Sequence, residues 1–303
     1  EKNLDFKSLA VRSNISTLFG GIFGLVLALT GFGVWALVAE DLLAAVARVA
    51  LLWRLGDWRP SLRFSWRHIK DLSGFSFYVF LAQIGNFVQR RSDALLVGHF
   101  FGAAAVGIYQ MADRLINIVI EMATRPLVMV VMPHFSRLQN QITELRKSVM
   151  QCIRSSAMLT MPLLAMLAGC AALICGALSA RGQDWNQAVH VIQILAIVGA
   201  ARAVTLFAGP LMQSLNRPRA FMWVSWMLAV LNTVAFCIAG SMLSGHHDIA
   251  LQAMGIAGVR GVIFCLIYTP ICIYIIAKLC QLDILAVIRS VLPAVAASAV
   301  VIG

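Results

Sequence analysis

Seven arginines fall inside long apolar runs of this chain: Arg48, Arg90, Arg91, Arg114, Arg125, Arg202 and Arg260. A charged side chain at the centre of a bilayer costs about 2.5–3.5 kcal/mol even on the most permissive insertion scale, so seven facing lipid would be prohibitive. Each must meet an acid, line a wet cavity or hold an anion. Five acids sit within or at the edges of the same runs: Glu40, Asp41, Asp93, Asp113 and Glu121. Residues three or four apart share a helix face, which sets Arg90 beside Asp93 and Glu121 beside Arg125. Asp41 and Arg48, seven apart, stack on one face two turns apart.

Arg202 and Arg260 have no acid within a helical turn. Small residues flank them, Ala200, Ala201 and Ala203 around one, Gly258 and Gly261 around the other, and small residues let helices approach closely. Their partners are then an anion in a cavity, an interface reached by snorkelling, or Asp93, Asp113 or Glu121 from another helix. The planar guanidinium fork binds phosphate oxygens bidentately. A lumen lined by Arg90, Arg91, Arg114, Arg125, Arg202 and Arg260 therefore suits phosphate or pyrophosphate. Asp93, Asp113 and Glu121 are the candidates for ion pairing or ion coupling.

Other chemistry is poorly supplied. There is no HExxH, nucleophile elbow or phosphate-binding P-loop. His246 and His247 beside Asp248 read as solvated loop, and His99 and His190 as residues at span ends. The seven cysteines lie in or next to apolar runs without CxxC spacing and read as small buried hydrophobes. No catalytic group, metal site or cofactor is expected.

These side chains need a membrane-embedded scaffold. With 60% hydrophobic and 12% charged residues among 303, the chain is far from a soluble domain, where charged residues run near a quarter. It reads as an all-α polytopic membrane protein. Spans of about 20 apolar residues fall at 15–30, 34–53, 74–97, 103–132, 156–179, 188–212, 221–243, 252–277 and from 287 onward. That makes nine. The net charge of +11 points to loops beside anionic lipid rather than to nucleic acid.

Loop charges test the segmentation. One alternating set of loops carries sixteen of the 24 basic residues, from Lys2, Lys7 and Arg12 through Arg54–Lys70, Arg137–Arg154 and Arg217/Arg219 to Lys278 and Arg289. The opposite set carries only Arg181. Positive-inside bias makes the first set cytoplasmic. Two cytoplasmic stretches, 133–155 and 54–73, the latter holding Trp58, Arg59, Pro60, Arg63, Phe64 and Trp66, read as amphipathic interfacial segments. Gly20 and Gly24 form a GxxxG pair, as do Gly98 and Gly102, and Pro126, Pro162, Pro210, Pro270 and Pro293 should kink their spans. The start at Glu1 and the end inside an apolar run mark the chain as an internal piece of a longer protein.

Several stretches carry a family resemblance. GFGVWALV at 31–38 resembles a Gly-x-Gly-x-Trp-Ala-Leu-Val turn, RRSDALLVGHFFGAAAVGIYQMADRL at 90–115 resembles an Asp-x-Leu-x-x-Gly, Gly, Gly-x-Tyr-x-x-Ala pattern, and PHFSRLQ at 133–139 resembles a Pro-x-Phe-Ser-x-Leu segment. Together they are similar to the polysaccharide transporters, or Wzx-type flippases, of the multidrug/oligosaccharidyl-lipid/polysaccharide (MOP) superfamily. The resemblance implies a fourteen-helix, two-lobe fold with a central cavity. Residues 1–72 would close the N-terminal lobe, 73–280 would form the C-terminal lobe, and 281–303 would begin an additional helix. It also implies a duplication in which 31–35 and 255–258 occupy corresponding hairpins.

By the same resemblance the cargo is an undecaprenyl-pyrophosphate-linked oligosaccharide, turned from the cytoplasmic to the periplasmic leaflet of the bacterial inner membrane for surface polysaccharide synthesis. Membrane lipids and other polysaccharide-assembly proteins are the remaining expected partners, and nucleic acid is not. Two alternatives stand beside it. One is another exporter of the same fold, a lipid II flippase or multidrug antiporter; the other is a membrane-embedded polysaccharide polymerase or glycosyltransferase.

Overall fold

The computed structural model describes residues 6–33, 35–55, 65–179, 185–245 and 248–302. Lys2, Trp58, Arg59, Pro60, Arg63, Phe64, Arg181, His246 and His247, which entered the loop and interface readings, lie outside the described residues. The chain divides into two units, Glu1–Arg67 and His68–Gly303.

The first unit is a helical hairpin of α1 (Phe6–Leu29) and α2 (Trp35–Leu55). α1 ends in a Schellman turn: Phe32 N–H donates to Leu27 O and Gly31 N–H to Ala28 O, with Gly31 at φ +89°. The GxxxG pair is a packing surface. A Cβ on Gly20 would lie 2.7 Å from Ala44 Cβ, and one on Gly24 would lie 2.8 Å from Glu40 Cβ. The glycine notches of α1 thus receive one turn of α2.

The second unit is wholly helical among its described residues. α3 (Trp66–Arg137), all but its first two residues in this unit, is broken by Gly102, at φ +80° and ψ −177°, into two arms that match the expected spans at 74–97 and 103–132. α4 (Ile142–Gly169) and α5 (Ala171–Ser179) follow, then a short 3-10 turn (Asn186–Ala188), α6 (Val189–Thr205) and α7 (Ala208–Ser214). α8 (Pro218–Leu243), α9 (Ile249–Val262), a π-helical segment (Ile263–Tyr268), α10 (Thr269–Cys280) and α11 (Ile284–Ile302) complete it. Five described stretches are long and apolar enough to cross a membrane: Leu72–Arg137, Ile142–Gly169, Asn186–Ser214, Pro218–Leu243 and Ile249–Cys280. The chain is an all-helical, multi-pass membrane protein. Two shorter apolar helical stretches, Asn14–Leu29 and Ile284–Ser298, fall on the expected first and last spans. The expected span at 34–53 is helical as α2, yet Glu40, Asp41 and Arg48 leave it outside this apolar set.

Three expectations need correction. The interfacial loop expected at 133–155 is mostly helix: α3 runs to Arg137, α4 starts at Ile142, and Leu145, Val149, Ile153 and Ala157 form a buried stripe at four-residue spacing. The span expected at 156–179 is interrupted, because the helix stops at Gly169 with Cys170 as its cap before α5 begins. No hairpin forms at 255–258, which lies inside α9. Gly255 there lets Leu243 approach, and its Cβ would meet Leu243 Cδ1 at 2.8 Å.

Two apolar cores hold the unit together. One gathers Tyr109, Ile116, Ile192, Phe236 and Ile256, and the other Phe135, Val149, Phe207, Leu211 and Ile276. Two helix irregularities flank them. Pro210 lacks the N–H that would donate one turn back, and α6 gives way to α7 across Leu206 and Phe207. Pro270 follows the π-helical segment, where Thr269 Oγ1 donates to Phe264 O across the widened turn. Arg202 and Arg260 each sit a few residues before one of these breaks.

Candidate functional site: a buried charge network and an open arginine stripe

Arg260, on the last turn of α9, is 8% exposed. Its Nη1 lies 3.1 Å from Asp93 Oδ2, 3.1 Å from Asp113 Oδ1 and donates to Tyr109 Oη at 2.7 Å. Asp93 comes from the first arm of α3. Tyr109 and Asp113 come from the second arm, one turn apart on one face. The Gly102 break is therefore what lets a single α-helical run present two carboxylates to one guanidinium.

The network extends in both directions. Asn232 Nδ2, from α8, donates to Asp93 Oδ1 at 2.6 Å. Asn117 Nδ2 donates to Asp113 Oδ2 at 2.7 Å, and Arg202 Nη1, from α6, donates to Asn117 Oδ1 at 2.7 Å. Tyr109, Asp113 and Asn117 form an i, i+4, i+8 ladder. Two arginines and two aspartates balance in formal charge, joined by two amides and a phenol across both arms of α3, α6, α8 and α9. Arg260 Nε stays buried without a hydrogen-bond partner.

Of the three openings for Arg260, cavity anion, snorkelling to an interface or interhelical acid, the last is the one seen. Asp93 turns away from Arg90, whose Nε donates instead to Asn86 O at 3.3 Å. Among the described residues no ion pair joins Glu121 to Arg125 or Asp41 to Arg48. Sequence reasoning missed Tyr109, Asn117 and Asn232. The signal existed, since Asn232 is the lone amide in the mostly apolar α8 and Asn117 shares its helix face with Asp113.

The remaining in-span cations of this unit are not in the network. Arg90, Arg91, Arg114 and Arg125 are exposed within the unit, and among the described residues none has an acid within 4.0 Å. Arg91 rests 5.8 Å over the Phe87 ring. Along the second arm Gln110, Arg114, Glu121 and Arg125 occupy one exposed face, successive positions falling within about 40° of one another at about 100° per residue. An apolar cavity of about 450 Å³ lies elsewhere, between α4, α6 and α11, lined by residues including Leu164, Ala168, Gln193, Ile197 and Val295.

A helical membrane protein that keeps charges inside its spans has a recognisable set of relatives. The family described as polysaccharide biosynthesis protein matches residues 1–190, and the chain belongs to that family. It is similar to the succinoglycan biosynthesis transport protein ExoT of Rhizobium meliloti, with 27% identity over 89% of this chain and 55% of that protein. It is also similar to the teichuronic acid biosynthesis protein TuaB of Bacillus subtilis, with 27% identity over 80% of this chain and 51% of that protein. The lipopolysaccharide biosynthesis protein WzxC of Escherichia coli shares 24% identity over 64% of this chain and 39% of its own length. The chain spans about half the length of the first two relatives. No solved structure matches it.

Proposed function

We propose that the full-length protein is a transporter, not an enzyme, that moves a pyrophosphate-linked lipid oligosaccharide across the bacterial inner membrane for assembly of a surface polysaccharide. The observation that carries this reading is the set of open arginines, Arg90, Arg91, Arg114 and Arg125, on helical arms long enough to span a bilayer. Charges placed so are too costly to face lipid, and they mark a pathway. Guanidinium groups without acids are suited to a polyanion, and pyrophosphate is the anionic part of such a lipid. The relatives' names, among them a succinoglycan transport protein, agree with a cargo built of sugar.

In this reading the arginines divide the work. Arg260 and Arg202 are taken up by the buried network and position the arms, while Arg90, Arg91, Arg114 and Arg125 face the lumen of the two-lobed transporter and grip the anion. Asp93 and Asp113 hold structure, and Glu121, exposed between Arg114 and Arg125, is the acid left for coupling.

The test is complementation of a gene deletion in the host by full-length variants. A hydrogen bond to a charged group is worth about 1.5–3 kcal/mol, so Arg114→Ala or Arg125→Ala should cut surface polysaccharide roughly tenfold or more at unchanged protein level. Lipid-linked repeat units should then accumulate on the cytoplasmic leaflet, and lysine should restore part of the activity. Polysaccharide made normally by the deletion strain, or a failure to make repeat units at all, would overturn the reading in favour of another cargo or a membrane enzyme.

A further inference from the structure

A second cationic feature lies away from both arginine sets. Where α11 packs along the N-terminal half of α4, a cleft of about 420 Å³ is lined by Lys147, Gln151 and Arg154 on α4, by Arg289 and Ser290 on α11, and floored in part by Met150 and Pro293. Positions 147, 151 and 154 share one face of α4, and 289 and 293 share one face of α11. The facing is fixed by the core beneath: Val287 and Ala294 of α11 are buried with Leu145, Val149 and Ile153 of α4.

Charge in the cleft is unbalanced. Lys147 is bridged to Glu144 at 2.9 Å, but among the described residues neither Arg154 nor Arg289 has an acid within 4.0 Å. Arg146, the neighbouring cation, is directed elsewhere and donates to the Gln281 carbonyl at the end of α10. Two free guanidiniums and the Gln151 amide therefore face one opening. One turn further along each helix the surface turns apolar and open, with Met158 on α4 40% exposed and Ala296 and Ala297 on α11 exposed. A cationic cleft that continues into an exposed apolar strip matches an amphiphile, with phosphate in the cleft and acyl chain along the strip.

We propose that the cleft between α4 and α11 binds the phosphate headgroup of an anionic phospholipid. Its lining residues are other than the arginines proposed to line the transport pathway.

Full-length protein in detergent, titrated with phosphatidylglycerol and read by native mass spectrometry, tests this. Phosphatidylglycerol should bind at least about tenfold more tightly than phosphatidylcholine, and the Arg154→Gln/Arg289→Gln double variant should lose that preference while Arg154→Lys/Arg289→Lys retains it. Should the double glutamine variant not fold, Gln151→Glu places a carboxylate at an exposed position of the cleft and must itself weaken phosphatidylglycerol binding. Inorganic phosphate at the same concentration should neither bind nor displace the lipid. If it does, the site takes a soluble phosphate. Phosphatidylglycerol binding left at the wild-type level by the substitutions overturns the site altogether.

Discussion

Arg260 shows what a buried charge does in the middle of a bundle. Held by Asp93, Asp113 and Tyr109, it ties both arms of α3 to α9, and removing it would leave a buried and a half-buried carboxylate facing one site without their cation. Loss of one partner of a buried pair costs about 3–5 kcal/mol, so Arg260→Gln should lower the melting temperature of the full-length protein sharply. Asp93→Asn should do likewise. Because the two losses remove one interaction, the double variant should melt well above the temperature expected from adding them, and simple additivity would mean that the pair is not coupled. This network was only partly legible in the sequence. The need for a partner followed from an arginine in an apolar run, and Asp93 and Asp113 were among the acids to hand. Which of them it meets did not follow, because Asp113 and Tyr109 lie 147 and 151 residues away and local spacing cannot reach so far. The amides of Asn117 and Asn232 carry no charge and give no warning in a count of charges, although they satisfy the outer oxygens of both carboxylates.

Among the elements, Gly102 decides how α3 can work. Its φ of +80° with ψ near 180° is open almost solely to glycine, and a residue forced there costs about 1–3 kcal/mol. Gly102→Ala should therefore destabilise the protein by about that much and loosen the approach of Asp93 and Asp113 to Arg260. Gly107→Ala is the control. It is exposed, meets nothing within 4 Å and lies in regular helix, so alanine there should be neutral or stabilising by about 0.5–1 kcal/mol. Thermal unfolding of the two variants side by side separates the effect of the break from a general preference for alanine in helices. Equal melting temperatures would remove the role given to Gly102. The break itself was readable as a glycine-rich gap between two apolar runs. The start of α4 was not, because Arg146, Lys147 and Arg154 read as a basic loop while the same residues are the solvated face of a helix whose other face is Leu145, Val149 and Ile153. Loop and amphipathic helix end have one composition and differ only in period.

For the molecule as a whole, the split of basic residues between alternating loops assigns a sidedness that the helices must obey together. α4 has 28 residues and is about 42 Å long at about 1.5 Å per residue, more than the roughly 30 Å of hydrocarbon. Its charged first turns can therefore stand in the headgroup layer while the rest spans. The end of the bundle that holds Arg137, Arg146, Arg154, Lys278 and Arg289 should face the cytoplasm, and the turn after α8 should face outward. Single cysteines placed at exposed turn positions test this against the background of the native thiols. Gly245→Cys, at a site where a Cβ meets nothing within 4 Å, should react with a membrane-impermeant maleimide applied from outside to spheroplasts or protoplasts. Gln139→Cys, in the turn between α3 and α4, should react only after that membrane is opened. The reverse labelling would invert the protein in the membrane and place the cationic cleft of α4 and α11 on the outer leaflet. Labelling of both sites from outside would contradict the three candidate crossings that separate them among the described residues: α4, the α6–α7 stretch and α8.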